Sequence, residues 1–353
     1  MNPNAAPAPP ALPEWTGRDF EVSEDTQRWL LDGVPANTRR AYTRQWDQFA
    51  AWCAENGRTP LPATGETVAE YVTHLCGLRR APATIAQALT AIRVRHRLVA
   101  ESAPALRAAG HHDAADRAEA LHGRPSLERA RLVLRGYRRH RAESGRRNTR
   151  TAPPITIDAL RAMVDTCDDS LRGLRDRVVL VLGLALMGRR SELVALDLGD
   201  VIECDEGLCV FIRASKTDVD AEGIDVSVPY GQHPQTCPVR VVRAWTDALA
   251  AHDITTGRLL RSLPHQRGIG GALGAEAVSA IVRARARAAG LPHAEAFTAH
   301  SLRAGGATVA ATHGAPMSAI AAHGRWSEKS PVVYGYVRAA DKWRDNPMRG
   351  VGL

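Results

Sequence analysis

A histidine and an arginine lie three residues apart near the end of the sequence, at His300 and Arg303. Thr298 is suited to cap a helix, and the Ala-, Leu- and Val-rich residues after it predict one. Residues three apart share a helix face, and a guanidinium beside an imidazole suits an anion. Gly305 and Gly306 are poor helix formers, which predicts that this helix packs closely against a neighbour. Such a pair also occurs on ordinary surface helices, so it needs support from elsewhere.

Further reactive groups lie on both sides of this pair. The segment GRWSEKSPVVYGYVR follows it and contains one tryptophan and two tyrosines, Trp326, Tyr334 and Tyr336. A tyrosine hydroxyl is a nucleophile only when it is activated, because its pKa is near 10. Upstream, the segment RRSEL begins at Arg189, and Lys216 is one of only three lysines in the chain.

The charge of the chain is concentrated in one stretch. The net charge is +8, and residues 124–150 contain ten arginines against two acids, so this window carries the whole excess. A segregated basic stretch favours a polyanion, most simply a nucleic acid, although a solvated helix face is an alternative.

Cysteine usage and hydropathy narrow the class of protein. The six cysteines form no C-x-x-C pair and have no matching histidine spacing, which predicts reduced structural thiols and no metal site. The start of the sequence lacks the pattern of a signal peptide, and the apolar run at 178–188 is too short to cross a bilayer. We therefore expect a cytoplasmic protein, associated with the nucleoid when it is bound to DNA.

Two domains are expected from the length and from the order of elements. Residues 1–17 are rich in Pro and Ala and predict a disordered tail. Residues 18–142 show only helical periodicity, with a stripe of Tyr42, Trp46, Phe49 and Cys53. Residues 143–154 are basic, end in two prolines and predict a linker. Residues 155–353 predict helices around the strands VIEC, LCVFIRAS and IDVSVPYG, which fit a three-stranded antiparallel sheet.

Taken together, these segments resemble the tyrosine recombinases of the phage integrase family. The first domain contributes NTRRAYTRQWDQFAAWC and APATIAQALTAIRVRH, which resemble the family's core-binding domain. Arg189, Ser191 and Glu192 match its Arg-x-Ser-Glu-Leu box, and the tripeptide from Tyr336 resembles the Tyr-Ile-Arg of the Cre-like branch, where a tryptophan precedes it. The resemblance implies a mainly α fold, in which a SAM-like helical bundle precedes an α+β catalytic domain with a small three-stranded sheet.

The resemblance also implies a catalytic set. Two arginines would hold the phosphate, a histidine would act as general base, a lysine would protonate the leaving 5′ oxygen, and a tryptophan would pack on the site and donate its indole N–H. The positions that match are Arg189, Lys216, His300, Arg303, Trp326 and the nucleophile Tyr336.

Three of these choices have rivals in the sequence. Arg190 competes with Arg189, and the offset to the Ser-Glu pair favours Arg189. His323 competes with Trp326. Tyr334 competes with Tyr336, because spacing from the tryptophan does not separate them, and only the tripeptide favours Tyr336.

Contacts to DNA are expected from polar residues on the predicted helices, from the linker and from the second domain. Linker arginines would bind phosphates rather than read bases. An arginine series at 283, 285 and 287 suggests another phosphate-contacting face. The candidate DNA-binding residues are Arg39, Arg40, Arg44, Thr84, Gln87, Arg93, Arg97, Arg146, Arg147, Arg150 and Arg283.

The resemblance implies a site-specific recombinase that cleaves and rejoins double-stranded DNA through a 3′-phosphotyrosyl intermediate, for integration, excision or resolution. It implies no cofactor, metal, ATP or membrane, and a homotetramer on two DNA sites with a dimer on each. Residues 339–348 are expected to dock on a neighbouring protomer, with Trp343 as an anchor. Two alternatives stay open: a DNA-binding protein of the same fold that does not cut, and a nicking or relaxing enzyme without synapsis.

Overall fold

The computed structural model describes residues 16–145, 152–215, 222–264, 268–327, 330–341, 346 and 348–351. The chain divides into two compact units, Met1–Arg150 and Thr151–Leu353. Several predicted features lie outside the described residues: most of the N-terminal tail, Lys216, Trp343, and the linker arginines Arg146, Arg147 and Arg150.

The first unit is helical throughout its described part. Its helices are α1 (Glu24–Asp32), α2 (Ala36–Glu55), α3 (Gly65–Gly77), α4 (Pro82–Ala100), α5 (Ala103–Ala108), α6 (His112–Glu119) and α7 (Glu128–Glu143). Phe49 and Cys53 of the predicted stripe are fully buried, and Phe49 packs edge-on to Tyr71 at 5.1 Å between ring centroids. The helical periodicity therefore located the core of this unit correctly.

The second unit surrounds a small sheet with helices. In chain order these are α8 (Ile157–Asp165), α9 (Leu171–Ala185), α10 (Arg190–Ala195), β1 (Val201–Cys204), β2 (Gly207–Ile212), β3 (Ile224–Pro229), α11 (Pro238–Ala250), α12 (Ala275–Ala288), α13 (Ala299–Thr312), α14 (Met317–His323) and α15 (Pro331–Asp341). The prediction of a mainly α fold with one small sheet is confirmed.

The sheet is antiparallel with the order β1-β2-β3. Val210 of β2 pairs with Val201 on one side and with Val226 on the other. Alternate side chains of β2 and β3 are buried, as the period of two requires. Cys204 and Cys209 form a disulfide within this sheet because the hairpin brings their Cα atoms to 6.4 Å, so the prediction of reduced thiols was wrong for this pair.

Helix α9 runs through the core and ends four residues before Arg189. Ser170 caps it by accepting the N–H of Gly173 at 3.2 Å, and its residues from Val178 to Leu184 are all buried. Such burial on every side accounts for the all-round apolar sequence. In the parts of the chain that the structure describes, no helix is both long and apolar enough to cross a membrane.

Candidate active site

The turn after α9 supplies the first arginine of the site. Met187 has a φ of 47°, which reverses the chain, and Arg189 then precedes the first turn of α10. Glu192 accepts the backbone N–H of Arg189 at 2.8 Å, so its carboxylate caps the helix. Glu192 is only 4% exposed, and its position therefore depends on the cations around it.

Arg189 is fixed by three elements of the second unit. Its Nη1 donates to Glu192 Oε1 at 2.5 Å and to Ser215 Oγ at 2.6 Å, and its Nη2 donates to the carbonyl of Arg325 at 3.3 Å. Ser215 follows β2 and directly precedes Lys216, which lies outside the described residues. The segment that follows β2 thus reaches the candidate site.

Helix α13 carries the His-Arg pair and is held close to its neighbours. Thr298 accepts the N–H of His300 at 3.2 Å, as its predicted role as a cap requires. A Cβ at Gly305 would lie 2.4 Å from the carbonyl oxygen of Ile155, and one at Gly306 would lie 2.4 Å from that of Leu184. The close packing predicted from these two glycines is confirmed, and it fixes the depth of α13 in the unit.

Arg303 is a deeply buried cation on α13. Its side chain is held by Nη1, which donates to the carbonyl of Met187, and its Cζ lies 3.7 Å from the ring centroid of Trp326. The residue is 3% exposed, and among the described residues its Nη2 has no hydrogen-bond partner. Burial, reinforced by the charge of Arg189, lowers the pKa of Arg303 to about 9, so it stays protonated at neutral pH.

Tyr336 and His300 are in direct contact. Tyr336 Oη lies 2.7 Å from His300 Nε2, and Tyr336 is 8% exposed. Burial, opposed by the charge of Arg303, raises the pKa of the Tyr336 hydroxyl, whereas burial and the charge of Arg303 lower the pKa of His300. At neutral pH the phenol therefore keeps its proton and the imidazole is free base, so the tyrosine O–H donates to the ring nitrogen.

Trp326 and a small apolar cluster position α15. The indole ring lies 5.9 Å from the ring of Tyr336 and is half-buried. Val333 and Tyr336 pack with Ala304 and Ala307 of α13 in this cluster. The side chains of α15 that face α13 thus bring the phenol to His300.

The three rival residues lie in other surroundings. Arg190 pairs with Glu276 at 2.7 Å and is half exposed. His323 Nε2 lies 2.7 Å from the carbonyl of Ala185, so its ring supports the end of α9. Tyr334 is 45% exposed. The structure therefore brings Arg189, Trp326 and Tyr336 together with the His-Arg pair and leaves the rivals outside.

The sequence of this chain matches one family across the site. The phage integrase family profile covers residues 154–342, which is more than half of the chain. The chain belongs to the phage integrase family. The prediction of a tyrosine recombinase is therefore confirmed, and the protein is a site-specific recombinase of this family.

Individual relatives of this recombinase extend over most of its length. An integrase/recombinase XerD homolog from Selenomonas ruminantium is 29% identical over 329 residues, which cover 93% of this chain and 89% of the relative. Among solved structures, XerA recombinase has a TM-score of 0.42 at 15% identity, with 91% of this chain and 96% of that chain covered. Lambda integrase (residues 75–356) bound to DNA has a TM-score of 0.48 at 13% identity, with 95% and 100% covered.

The candidate DNA-binding residues of the first unit lie on α2 and α4. Arg40, Arg44, Arg93 and Arg97 are exposed, whereas Arg39, Thr84 and Gln87 are half-buried. Some of these side chains are already engaged. Arg39 donates to the carbonyl of Leu31, Arg40 donates to Asn37 at 2.7 Å, and Arg97 pairs with Glu101 at 3.4 Å.

A basic groove in this recombinase runs between α4 and α7. This α4–α7 groove is a cavity of about 750 Å³ whose floor includes the buried Leu89, Leu121 and Leu134. Its arginines are exposed, and they come from α4, from the loop before α7 and from α7 itself: Arg93, Arg97, Arg124, Arg131, Arg135 and Arg138. The basic stretch of the sequence therefore supplies one wall of a concave surface.

Of the three arginines expected to form a phosphate-contacting face on α12, Arg285 is largely buried in an ion pair, whereas Arg287 lies at the surface. Arg285 pairs with the buried Asp176 at 2.7 Å, and Arg287 pairs with Glu295 at 2.5 Å. Only Arg283, which is half-buried, has neither of these roles. Successive residues of a helix are 100° apart, so a series at every second position cannot share one face.

Two residues of the site were missed by sequence reasoning. Ser215 contacts Arg189, and Arg325 forms a buried ion pair with Glu192 at 2.8 Å. Ser215 has no signal beyond its place beside Lys216. Arg325 is part of the GRW turn, but an arginine in a turn ordinarily indicates a solvated side chain.

Proposed function

We propose that this recombinase breaks one DNA strand by attack of Tyr336 Oη on the scissile phosphorus. A bond forms between phosphorus and the tyrosine oxygen, and the bond to the 5′ oxygen breaks. The strand end then stays on the protein as a 3′-phosphotyrosine, which conserves the bond energy. A 5′-hydroxyl from another strand reverses these steps and releases the tyrosine.

The observation that carries this proposal is the convergence of three groups. The Tyr336 hydroxyl faces His300 Nε2 at 2.7 Å, and Arg303, whose Nη2 has no hydrogen-bond partner within the described parts of the chain, belongs to the same helix as this histidine. A neutral imidazole beside a protonated phenol is the arrangement that a general base needs. With this histidine as base, the Tyr336 hydroxyl would attack an electrophilic centre, and the Arg303 guanidinium would bind the negative charge of the same substrate.

The phosphate would be held by Arg189 and Arg303. Both guanidiniums are fixed before substrate arrives, by Glu192, Ser215 and backbone carbonyls. Preorganised donors of this kind lower the energy of a charged transition state because they need no rearrangement, and removal of one typically costs about 3 kcal/mol. Lys216, as the proposed general acid, would protonate the departing 5′ oxygen.

The first unit would provide affinity rather than chemistry. The exposed arginines of the α4–α7 groove and of α2 match the charge of a DNA backbone. The linker arginines Arg146, Arg147 and Arg150 and the half-buried Arg283 are proposed as further phosphate contacts. On this basis we propose double-stranded DNA as the partner, with a dimer on each site and a homotetramer during strand exchange. The proposed site of action is DNA in the cytoplasm.

Covalent trapping tests this function even though the target sequence is unknown. The wild-type protein is incubated with sheared genomic DNA from its source in EDTA and without ATP, and the reaction is stopped with SDS. DNA that stays attached to protein is then sequenced. We expect one sequence to be enriched, with protein on its 3′ phosphate. Binding without any covalent adduct, or an adduct formed only when metal is added, would overturn the proposal.

A further inference from the structure

Arg325 is a third arginine at the site, and its backbone is unusual. It follows α14 and Gly324, has a φ of 56°, and is 5% exposed. This left-handed conformation favours glycine and disfavours residues with a Cβ. Strained backbone of this kind clusters where surrounding contacts over-determine it, often at functional sites.

The side chain of Arg325 joins two separate parts of the site. Its Nη2 donates to Glu192 Oε2 at 2.8 Å and to the carbonyl of Leu186 at 3.2 Å, and its Nη1 donates to the carbonyl of His323 at 2.8 Å. Its own carbonyl accepts Arg189 Nη2 at 3.3 Å. The residue therefore contacts Arg189 both directly and through the carboxylate that they share.

The neighbouring residue in the chain extends this link to the second phosphate-binding arginine. Trp326 follows Arg325 directly, and its ring covers the guanidinium of Arg303 with 3.7 Å between Cζ and the ring centroid. Because Arg325 is anchored on Leu186 and Glu192, it fixes the backbone position from which the Trp326 side chain extends. The turn consequently affects the positions of both arginines that are proposed to hold the phosphate.

We propose that Arg325 is a positioning residue for strand cleavage, which orients Arg189 through Glu192 and places Trp326 on Arg303. This inference rests on the proposed function. A purely structural role explains the observations less well. A buried ion pair is often no more stabilising than packed apolar groups, and here it also imposes a left-handed backbone.

The charge of Glu192 provides a readout specific to this role. Burial alone raises its pKa, but the charge of Arg325, together with hydrogen bonds from Arg189, brings the pKa of Glu192 below its usual range. The cations around it are Arg189 directly before its own helix, Arg325 from the turn after α14, and Arg303 on α13. Without Arg325 the effect of burial dominates, so the pKa of Glu192 rises and its hold on Arg189 weakens as the pH falls.

The test compares Arg325→Gly, Arg325→Lys, Glu192→Gln and the double variant Arg325→Gly/Glu192→Gln with the wild type. Glycine suits the backbone of this turn, and lysine keeps the charge without the guanidinium fork. The probe is a nicked duplex with the sequence recovered by covalent trapping. Binding is measured by gel shift, and single-turnover adduct formation is measured across acidic and neutral pH.

We expect Arg325→Gly to bind the duplex as the wild type does and to cleave it about 10- to 100-fold more slowly, the usual effect of losing an orienting partner. Its rate should begin to fall at a higher pH than that of the wild type, and Glu192→Gln should abolish this difference. Arg325→Lys should restore the wild-type pH profile and part of the rate. The double variant should be no slower than the slower single variant, because both changes remove one interaction.

Two results would overturn the inference while leaving the proposed function intact. One is an Arg325→Gly protein that cleaves at the wild-type rate. The other is an Arg325→Gly protein whose cleavage rate falls by the same factor at every pH, together with an Arg325→Lys protein that is no faster. This combination would indicate a structural role alone. A wild-type protein that forms no adduct would instead overturn the proposed function itself.

Discussion

Arginine lies in opposite surroundings at the candidate active site and in the α4–α7 groove. In the second unit Arg189, Arg303 and Arg325 are at most one-fifth exposed, and backbone carbonyls or a buried carboxylate hold them. In the first unit, arginines of the α4–α7 groove such as Arg93 and Arg135 are exposed and surround an apolar floor. The same side chain is therefore fixed in one region and solvated in the other.

Under the proposed function, this difference separates the rate of cleavage from the affinity for DNA. A buried guanidinium has already lost its water, so it stabilises developing charge without reorganisation. The lowered pKa of Arg303 reflects this desolvation. An exposed guanidinium keeps its water and counterions until DNA arrives, and its contribution is therefore a salt-dependent attraction. Substitutions in the two regions should accordingly affect different measurements.

The largest effect should come from the proposed nucleophile. Tyr336→Phe keeps the buried ring but removes the oxygen that lies 2.7 Å from His300 Nε2, so covalent adducts should fall by more than about a thousandfold. Tyr334→Phe is the matched control, because that tyrosine is 45% exposed and lies outside the site. Gel analysis of SDS-stopped reactions measures both. Adducts lost only in Tyr334→Phe would keep the reaction class and move the nucleophile.

Arg303→Lys should produce the next largest effect. Lysine keeps the charge, but it cannot donate to Met187 and to a phosphate from one rigid fork while lying under Trp326. We expect adduct formation about 100-fold slower, with DNA affinity nearly unchanged. Arg190→Lys changes an exposed residue that pairs with Glu276, so its rate of adduct formation should stay within about twofold of the wild-type rate. Equal losses in the two variants would remove the distinction between fixed and solvated arginines.

Sequence reasoning succeeded where short spacing sets the geometry. His300 and Arg303 share a face because they are three residues apart on one helix, and the two glycines after them predicted the close contacts of α13. The strands were recognised from their alternation, and their antiparallel pairing was expected from the polar turns between them. These features depend on local periodicity, which a sequence displays directly.

It was less decisive where only packing sets the geometry. The tripeptide favoured Tyr336 over Tyr334, and the contact of α15 with α13 places Tyr336, not Tyr334, beside His300. The buried role of Arg325 depends on Glu192, which is 133 residues away in the chain. Arg285 pointed inward for the same reason, since its partner Asp176 lies on α9. Such pairings leave no periodic signal.

Substitution of one glycine by alanine in each unit tests how closely the helices of that unit are packed. Gly305→Ala would force a Cβ to 2.4 Å from the carbonyl of Ile155, and we expect it to destabilise the second unit by about 1 to 3 kcal/mol. Gly136→Ala on α7 has nothing within 4 Å of the new Cβ and should stabilise that helix by about 0.5 to 1 kcal/mol.

Urea unfolding of the full-length protein, followed by hydrogen exchange in each unit, measures these two changes separately. Adduct formation should fall in Gly305→Ala, because displacement of α13 moves both His300 and Arg303. Unchanged stability in Gly305→Ala would mean that α13 can shift, and the account of a preorganised second unit would then be wrong.

The smallest effect on cleavage is expected in the α4–α7 groove. Arg93→Ala with Arg135→Ala removes two exposed cations from opposite walls, so DNA affinity should fall at every sequence tested. The slope of log affinity against log salt should decrease by about one for each lost phosphate contact. The cleavage rate at saturating DNA should stay unchanged, since neither arginine belongs to the second unit.

Arg107→Ala is the control for this pair, because Arg107 is exposed on the same unit but already neutralised by Asp116 and Glu119 at 2.6 and 2.7 Å. Its salt slope should match that of the wild type. If the groove variant instead keeps the wild-type slope and loses cleavage rate, its arginines act on the chemistry, and the division between a fixed unit for rate and a solvated unit for affinity fails. A reduced slope at constant rate supports that division, because it shows a cation that attracts DNA without contributing to the transition state.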